Sequence, residues 1–215
     1  PLRLGQPEHG YPWVWSILPW LDGNAADLAP PGPGEGATLA GFLRALHQPA
    51  PADAPINKVR GIPVAVRAEN NEKRMARRTD TSNVITPEIR QAWAEALDAP
   101  VDKSPTWVHG DLHARNVLVK DGRITAIIDW GDITKGDRAT DLASIWLLLG
   151  DASARVEAIQ LYGDNNPALW ARARGWAIML GIVLLETGLV DTPRHAEMGR
   201  LTLQRLSDDI AKARG

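Results

Sequence analysis

The sequence of 215 residues has no cysteine, one phenylalanine, two tyrosines, little net charge and no long apolar run. Without cysteine there is no disulfide, no thiolate metal site and no cysteine nucleophile; the absence fits a reducing compartment. Basic and acidic side chains number 24 and 26, a formal charge of -2, which argues against a nucleic-acid clamp held by bulk positive charge. The longest uninterrupted apolar stretch, from Trp176 to Leu185, stops at Glu186, well short of the roughly 18 residues that mark a membrane span. Glu8 and the prolines near the N-terminus do not make a secretory signal. A cytoplasmic chain is expected, with neither nucleic acid nor membrane as partner and with oligomeric state left open.

Tryptophan is plentiful, with nine residues, three of which (Trp13, Trp15 and Trp20) fall in one short stretch. Core filling is the plain expectation for them, because indole buries a large apolar area around one polar N–H. Tyr11 to Leu21 alternates apolar residues with prolines and reads as an extended strand running into a connector that ends at Asp22-Gly23. The sequence PPGPGEG (30–36) reads as a loop, with Thr38 as the cap of a short amphipathic helix on Leu39, Phe42, Leu43 and Leu46 that ends at His47. Residues 48–63 hold four prolines and read as irregular. Lys58 to Arg78 carries seven basic residues against two acids, a pattern that reads as a solvated helix face or as a docking surface for an anion or acidic partner. Pro87 opens a helix with an Ile89, Trp93, Ala96 and Leu97 stripe. Asp121-Gly122 is the strongest hairpin signal. Beyond residue 138 the spacing predicts helices over 141–149, 153–162, 167–187 and 195–213. The fold class expected is α+β, mainly helical, around a small β-hairpin.

The chemistry concentrates at His109-Gly110-Asp111-Leu112-His113-Ala114-Arg115-Asn116. This matches the spacing of the protein-kinase catalytic loop H-R-D-L-x-x-x-N, with Gly110 in place of Arg. Asp129-Trp130-Gly131, thirteen positions after Asn116, matches D-F-G with Trp for Phe. Phosphoryl transfer needs a carboxylate to orient and deprotonate the acceptor hydroxyl, and ligands that hold Mg²⁺ against the nucleotide phosphates. Asp111 can be the first; Asn116 and Asp129 form an all-oxygen set that suits a hard cation. Either half alone is weak; both together, in order and joined by a hairpin, are specific.

HGDLHARNVLV, IIDWGD and GDRATDLA (136–143) resemble the C-terminal lobe of the aminoglycoside phosphotransferase family, a branch of kinase-like small-molecule phosphotransferases. YPWVWSILPWLDG resembles its inter-lobe segment, FLRALH its first C-lobe helix, and GWAIMLGIVLLETG a later core helix. The resemblance implies a division into an inter-lobe segment, 1–23, and a helical catalytic and substrate-binding lobe, 24–215. It also implies Asp111 as base, His109 as a brace of the catalytic loop, and Mg²⁺ on Asn116 and Asp129. Asp141 is expected to accept backbone N–H bonds from that loop, while Asp132 approaches metal or substrate or caps a turn. Adenine or guanine of ATP or GTP is expected at Leu18, Trp20 and Leu21, through backbone groups. The acceptor is a hydroxyl of an aminoglycoside or another antibiotic or metabolite, with Asp132, Asp137, Asp164, Glu186, Asp191 and Glu197 as candidate carboxylates for a cationic one.

A phosphate-covering glycine loop and its lysine are expected for such an enzyme, yet Gly32 to Gly36 runs into a helix and Val64-Ala65-Val66-Arg67 carries Arg where Lys is needed. In the family both belong to an N-terminal β lobe that precedes the connector. The chain starts at proline, near the hinge; the expectation is a catalytic lobe without that β lobe, impaired on its own. Two other classes compete: a metal-dependent hydrolase built on His109, Asp111, His113 and Asp129, and a non-catalytic kinase-like binding module.

Overall fold

The computed structural model describes residues 1–78, 84–190 and 192–214. In chain order the elements are β1 (Arg3–Gly5), β2 (Trp15–Ile17), β3 (Asn24–Ala25), α1 (Glu35–Leu46), α2 (Ala68–Arg78), α3 (Pro87–Asp98), β4 (Thr106–Val108), β5 (Val117–Lys120), β6 (Arg123–Ile127) and β7 (Thr134–Gly136). Five helices follow: α4 (Ala139–Leu142), α5 (Ser144–Leu148), α6 (Ala152–Tyr162), α7 (Pro167–Gly188) and α8 (Pro193–Arg214).

The helical body is organised by α7. Asn166 caps it, accepting from the Ala168 N–H, and Pro167 occupies the first turn, where a missing N–H costs nothing. From Leu169 to Leu185 it is buried almost all round, as a helix enclosed by others must be, and α8, α3, α2 and α4 surround it. By length and composition α7 could cross a membrane, but 83% of its apolar stretch is buried inside the fold.

Several boundaries differ from the pattern-based reading. The first helix starts at Glu35, three residues before Thr38. Glu35 is itself buried and its carboxylate accepts from the Ile124 N–H at 2.9 Å, so α1 is anchored to β6 and not by a side-chain cap. The expected strand over Tyr11 to Leu21 shrinks to Trp15–Ile17, paired antiparallel with Arg3–Gly5. Just past Asp22-Gly23, Asn24 and Ala25 pair with Val119 and Leu118. β5 and β6 form the hairpin, with β3 at its edge, whereas β4 pairs with β7. Asp121 and Gly122 have φ of 52° and 75°, both left-handed, as a tight two-residue hairpin turn requires.

The tryptophans split. Trp93, Trp146, Trp170 and Trp176 are core residues, but Trp13, Trp15 and Trp20 are exposed, Trp20 by 93%. Core filling therefore fails for the clustered three: their segment is extended and rests on one short partner strand, with no helix layer over it.

The basic stretch is also not a uniform solvated face. Arg74 and Arg77 both pair with Glu186 on α7, Lys73 pairs with Glu69, and Arg67 donates to the Val59 carbonyl. Lys58 is exposed, and Arg60 turns into the catalytic loop.

Candidate active site

The loop between β4 and β5 carries His109 to Asn116, and the turn after β6 carries Asp129 to Asp132. Asn116 closes the distance between them: its carbonyl accepts from the Ile128 N–H at 2.9 Å. The two halves of the motif are thus held in register by a backbone bond next to Asp129.

His109 is fully buried. Its Nε2 lies 3.0 Å from the Ile128 carbonyl and its Nδ1 accepts from the Asp111 N–H at 3.3 Å, so the proton belongs on Nε2. Trp130 lies against it, with ring centroids 4.8 Å apart. Asp141 is also fully buried; its Oδ2 accepts from the His109 N–H at 2.6 Å and its Oδ1 from the Gly110 N–H at 2.9 Å. A second buried imidazole, His47 at the end of α1, approaches Asp141 Oδ2 at 3.4 Å and Tyr162 Oη at 2.9 Å. Gly110 has φ +86°, and a Cβ there would lie 2.8 Å from the Asp132 carbonyl oxygen. Backbone conformation and space both demand glycine, which accounts for its replacing the kinase arginine.

Asp111 is partly exposed. Its Oδ1 lies 2.5 Å from Arg60 Nη2, and its Oδ2 lies 3.4 Å from both His113 Nε2 and Asn116 Nδ2. Burial raises the Asp111 pKa, but the hydrogen bond from His113 and the charges of His113, Arg60 and His109 outweigh it and hold the carboxyl below the ordinary range. Asp111 is an anion at neutral pH.

Asn116 is buried and donates its Nδ2 to the Asp111 carbonyl at 2.9 Å. Its side-chain oxygen takes no donor among the described residues. Asp129 is exposed, sits at φ 61°, ψ 64°, and makes no side-chain cap bond. A non-glycine residue in that region is strained, and such strain gathers at functional sites. Two oxygens without protein donors, an amide and a carboxylate, suit Mg²⁺, which keeps several waters and takes few protein ligands. The hydrolase set fits poorly: both His109 nitrogens are occupied by backbone, and among the described residues no group of three His, Cys, Asp or Glu could hold a metal.

The other candidates go elsewhere. Asp132 faces the site but is held by Arg60 Nε at 3.3 Å and by Asn57 Nδ2 at 2.8 Å. Asp137 is buried on Arg172 at 2.7 Å, Asp164 pairs with Arg138 at 2.6 Å, Glu186 with Arg74 and Arg77, and Glu197 with Arg200 at 2.7 Å. None of these is a free carboxylate awaiting a cation. Asp191 lies outside the described residues. Leu18, Trp20 and Leu21 are exposed in the segment between β2 and β3. Sequence reasoning missed Arg60 and Asn57 as site residues. Asn57 shapes the turn, with Oδ1 accepting from the N–H groups of Val59 and Arg60; Asn is a common Asx-turn residue, too common to point here unaided.

A catalytic loop braced by a buried carboxylate and a hairpin that returns an Asp-Trp-Gly turn beside it are the parts of a kinase-like phosphotransferase fold. The comparisons agree: the GDP complex of wild-type aminoglycoside 2'-phosphotransferase-IIIa superposes with a TM-score of 0.56 at 14% identity, covering 96% of this chain and 74% of that one. The chain belongs to the phosphotransferase enzyme family, whose family model matches residues 1–176. Among curated relatives, it is 29% identical over 133 residues to an aminoglycoside 3'-phosphotransferase of Escherichia coli, covering 60% of this chain and 49% of the relative. It is 40% identical over 78 residues to the viomycin phosphotransferase of Streptomyces vinaceus, covering 34% and 27%. The chain therefore spans about half, or less, of the length of these relatives.

Proposed function

We propose that the protein transfers the γ-phosphoryl group of ATP or GTP to a hydroxyl of a small molecule in the cytoplasm. The observation that carries this is the pairing of an ionised Asp111 with two oxygen donors, Asn116 and Asp129, that no group among the described residues satisfies. The acceptor oxygen attacks the γ-phosphorus, the bond to the β–γ bridging oxygen breaks, and the hydroxyl proton passes to the Asp111 carboxylate. A depressed carboxyl pKa makes a weak base, which suffices where the transition state is loose and proton removal comes late. Asn116 and Asp129 would hold Mg²⁺, which neutralises phosphate charge when bound. His109 acts by positioning: its ring receives the Asp111 N–H and so orients the base. The nucleotide base meets the backbone around Leu18, Trp20 and Leu21.

Acceptors are sought among aminoglycosides, other antibiotics and hydroxyl-bearing metabolites, because the relatives' names include the first two. Gly32 abuts the Gly122 carbonyl at 2.7 Å ahead of α1, and Val64 to Arg67 is a single tight turn, so neither covers a phosphate. On this reading the 215-residue chain binds Mg-nucleotide weakly and turns over slowly.

The test compares two variants of the natural gene product. Asp111→Asn is expected to lower kcat by roughly 10² to 10⁴-fold with Mg-ADP affinity nearly unchanged, and Asp129→Ala to lower both. Near-full turnover by Asp111→Asn would refute the mechanism, and a normal rate from the 215-residue chain would refute its impairment.

A further inference from the structure

The charges around Asp111 bear on which acceptor it serves. A polycationic acceptor needs carboxylates free to meet it, yet Asp132, Asp137, Asp164, Glu186 and Glu197 are each paired with an arginine of the chain. Besides the open carboxylate of Asp129, the loop that carries Asp111 holds a positive charge that no carboxylate among the described residues answers. Arg115 is exposed at the end of the catalytic loop, and among the described residues it meets no carboxylate. Its Nη1 lies 2.7 Å from Nε2 of His195, in the first turn of α8. Burial holds the His195 pKa below the ordinary imidazole range, and the charges of Arg115 and His113 add to that. His195 is therefore a neutral acceptor at pH 7 and leaves the guanidinium charge uncancelled.

A line of contacts joins this pair to the base. The Arg115 N–H donates to His113 Nδ1 at 3.2 Å, and His113 Nε2 stands 3.4 Å from Asp111 Oδ2. Arg194, in the same turn as His195, is already answered by Asp27 at 2.5 Å. Arg115 is thus a cation without a carboxylate partner among the described residues, in the same short loop as the carboxylate that would receive the acceptor's proton. A planar guanidinium with free donors selects carboxylate or phosphate oxygens.

We propose that Arg115, steadied by His195, is a subsite for an anionic group of the acceptor, so that the substrate is a hydroxyl-bearing acid or phosphate ester and not a polycation. The assignment rests on the phosphotransferase reading. The same anion could in principle be a nucleotide phosphate, and the experiment separates the two sources.

D-Glycerate, D-gluconate, kanamycin and Mg-ADP are titrated separately into the natural gene product, followed by the imidazole NMR signals of His113 and His195. Saturable shifts are expected with both hydroxy acids and none with kanamycin over the same range. Arg115→Ala should weaken acid binding at least tenfold, Arg115→Lys should restore part of it by charge alone, and Mg-ADP affinity should change less than threefold in either. Kanamycin saturating more tightly than the acids would overturn the proposal, as would no saturable response to either acid. An equal loss of acid and Mg-ADP affinity in Arg115→Ala would assign the residue to the nucleotide and overturn it too. If the acids bind through Arg115 while Mg-ADP fails to bind, the phosphotransferase reading fails and the anion subsite stands.

Discussion

Two clusters of aspartates and arginines lie within this fold and behave in opposite ways. In the first, Arg172 of α7 is completely buried and bonds Asp137 at 2.7 Å, Asp102 at 2.9 Å and the Pro100 carbonyl. Arg138 extends it to Asp102 at 2.9 Å, Asp164 at 2.6 Å and the Tyr162 hydroxyl at 3.1 Å. Each of the three carboxylates is bonded by at least one of the two guanidiniums. In the second, around Asp111, Asn116 and Asp129 keep an oxygen unmatched among the described residues, and Arg115 meets the neutral imidazole of His195 and no described carboxylate. The residue types are the same; what differs is whether their bonding capacity is used up. A closed cluster ties α7 to the loops behind the catalytic strand, and an open one retains capacity for ligands.

The closed cluster is most vulnerable at Arg172. Arg172→Ala strands Asp137 as a buried, unpaired charge and should cost about 3 to 5 kcal/mol of stability; urea unfolding measures it, and a loss under 1 kcal/mol would mean the cluster is not closed. Asp141→Asn comes next, since it weakens two charge-assisted bonds to the His109 and Gly110 N–H groups, each worth roughly 1.5 to 3 kcal/mol. It should lower both the thermal midpoint and kcat, whereas a change in the midpoint alone would separate Asp141 from the geometry of the base. In the open cluster Asp129→Gly should act the other way, relieving left-handed backbone strain of roughly 1 kcal/mol while removing Mg-dependent nucleotide binding. Isothermal titration and thermal melts together check it; a destabilised variant that still binds Mg-ADP would contradict it.

The smallest effect is that of pH. Burial raises the Asp102 pKa, but bonds to Arg138 and Arg172 outweigh it, and its folded pKa is lowered, as is that of Asp111. A carboxyl with a depressed folded pKa contributes stability that is complete above its unfolded pKa of about 3.9 and is lost as pH falls through the folded value. Stability should therefore hold from neutrality down to about pH 4 and decline below it, less steeply in Asp102→Asn. The acid limb of kcat/KM should also lie in that range; a limb near pH 6.5 would point to an imidazole, not Asp111, as base.

Much of the site was legible in order along the chain, and the rest was not. HGDLHARN and the returning Asp-Trp-Gly are local patterns, and the Asp121-Gly122 turn between them has the chemistry of a hairpin. Arg60 was only one of seven basic residues in a run, and nothing local distinguishes it from Lys73 or Arg77. Its bond to Asp111 spans 51 residues of irregular chain and short helices, and no periodicity encodes such a contact. The clustered tryptophans misled for a related reason: indole favours burial on average, but whether a segment has a layer to bury against is a property of the whole fold.

By itself, then, the sequence determined the helical class, the hairpin, and the order and spacing of Asp111, Asn116 and Asp129, because local pattern along a regular backbone is read directly. Only the tertiary structure decided which carboxylates are free. Asp137 and Asp132 look alike in a row of letters, and the partner that consumes each, Arg172 or Arg60, comes from a distant element whose approach is set by packing. That assignment of charges to partners is what turns the acceptor question from a family label into a test on Arg115.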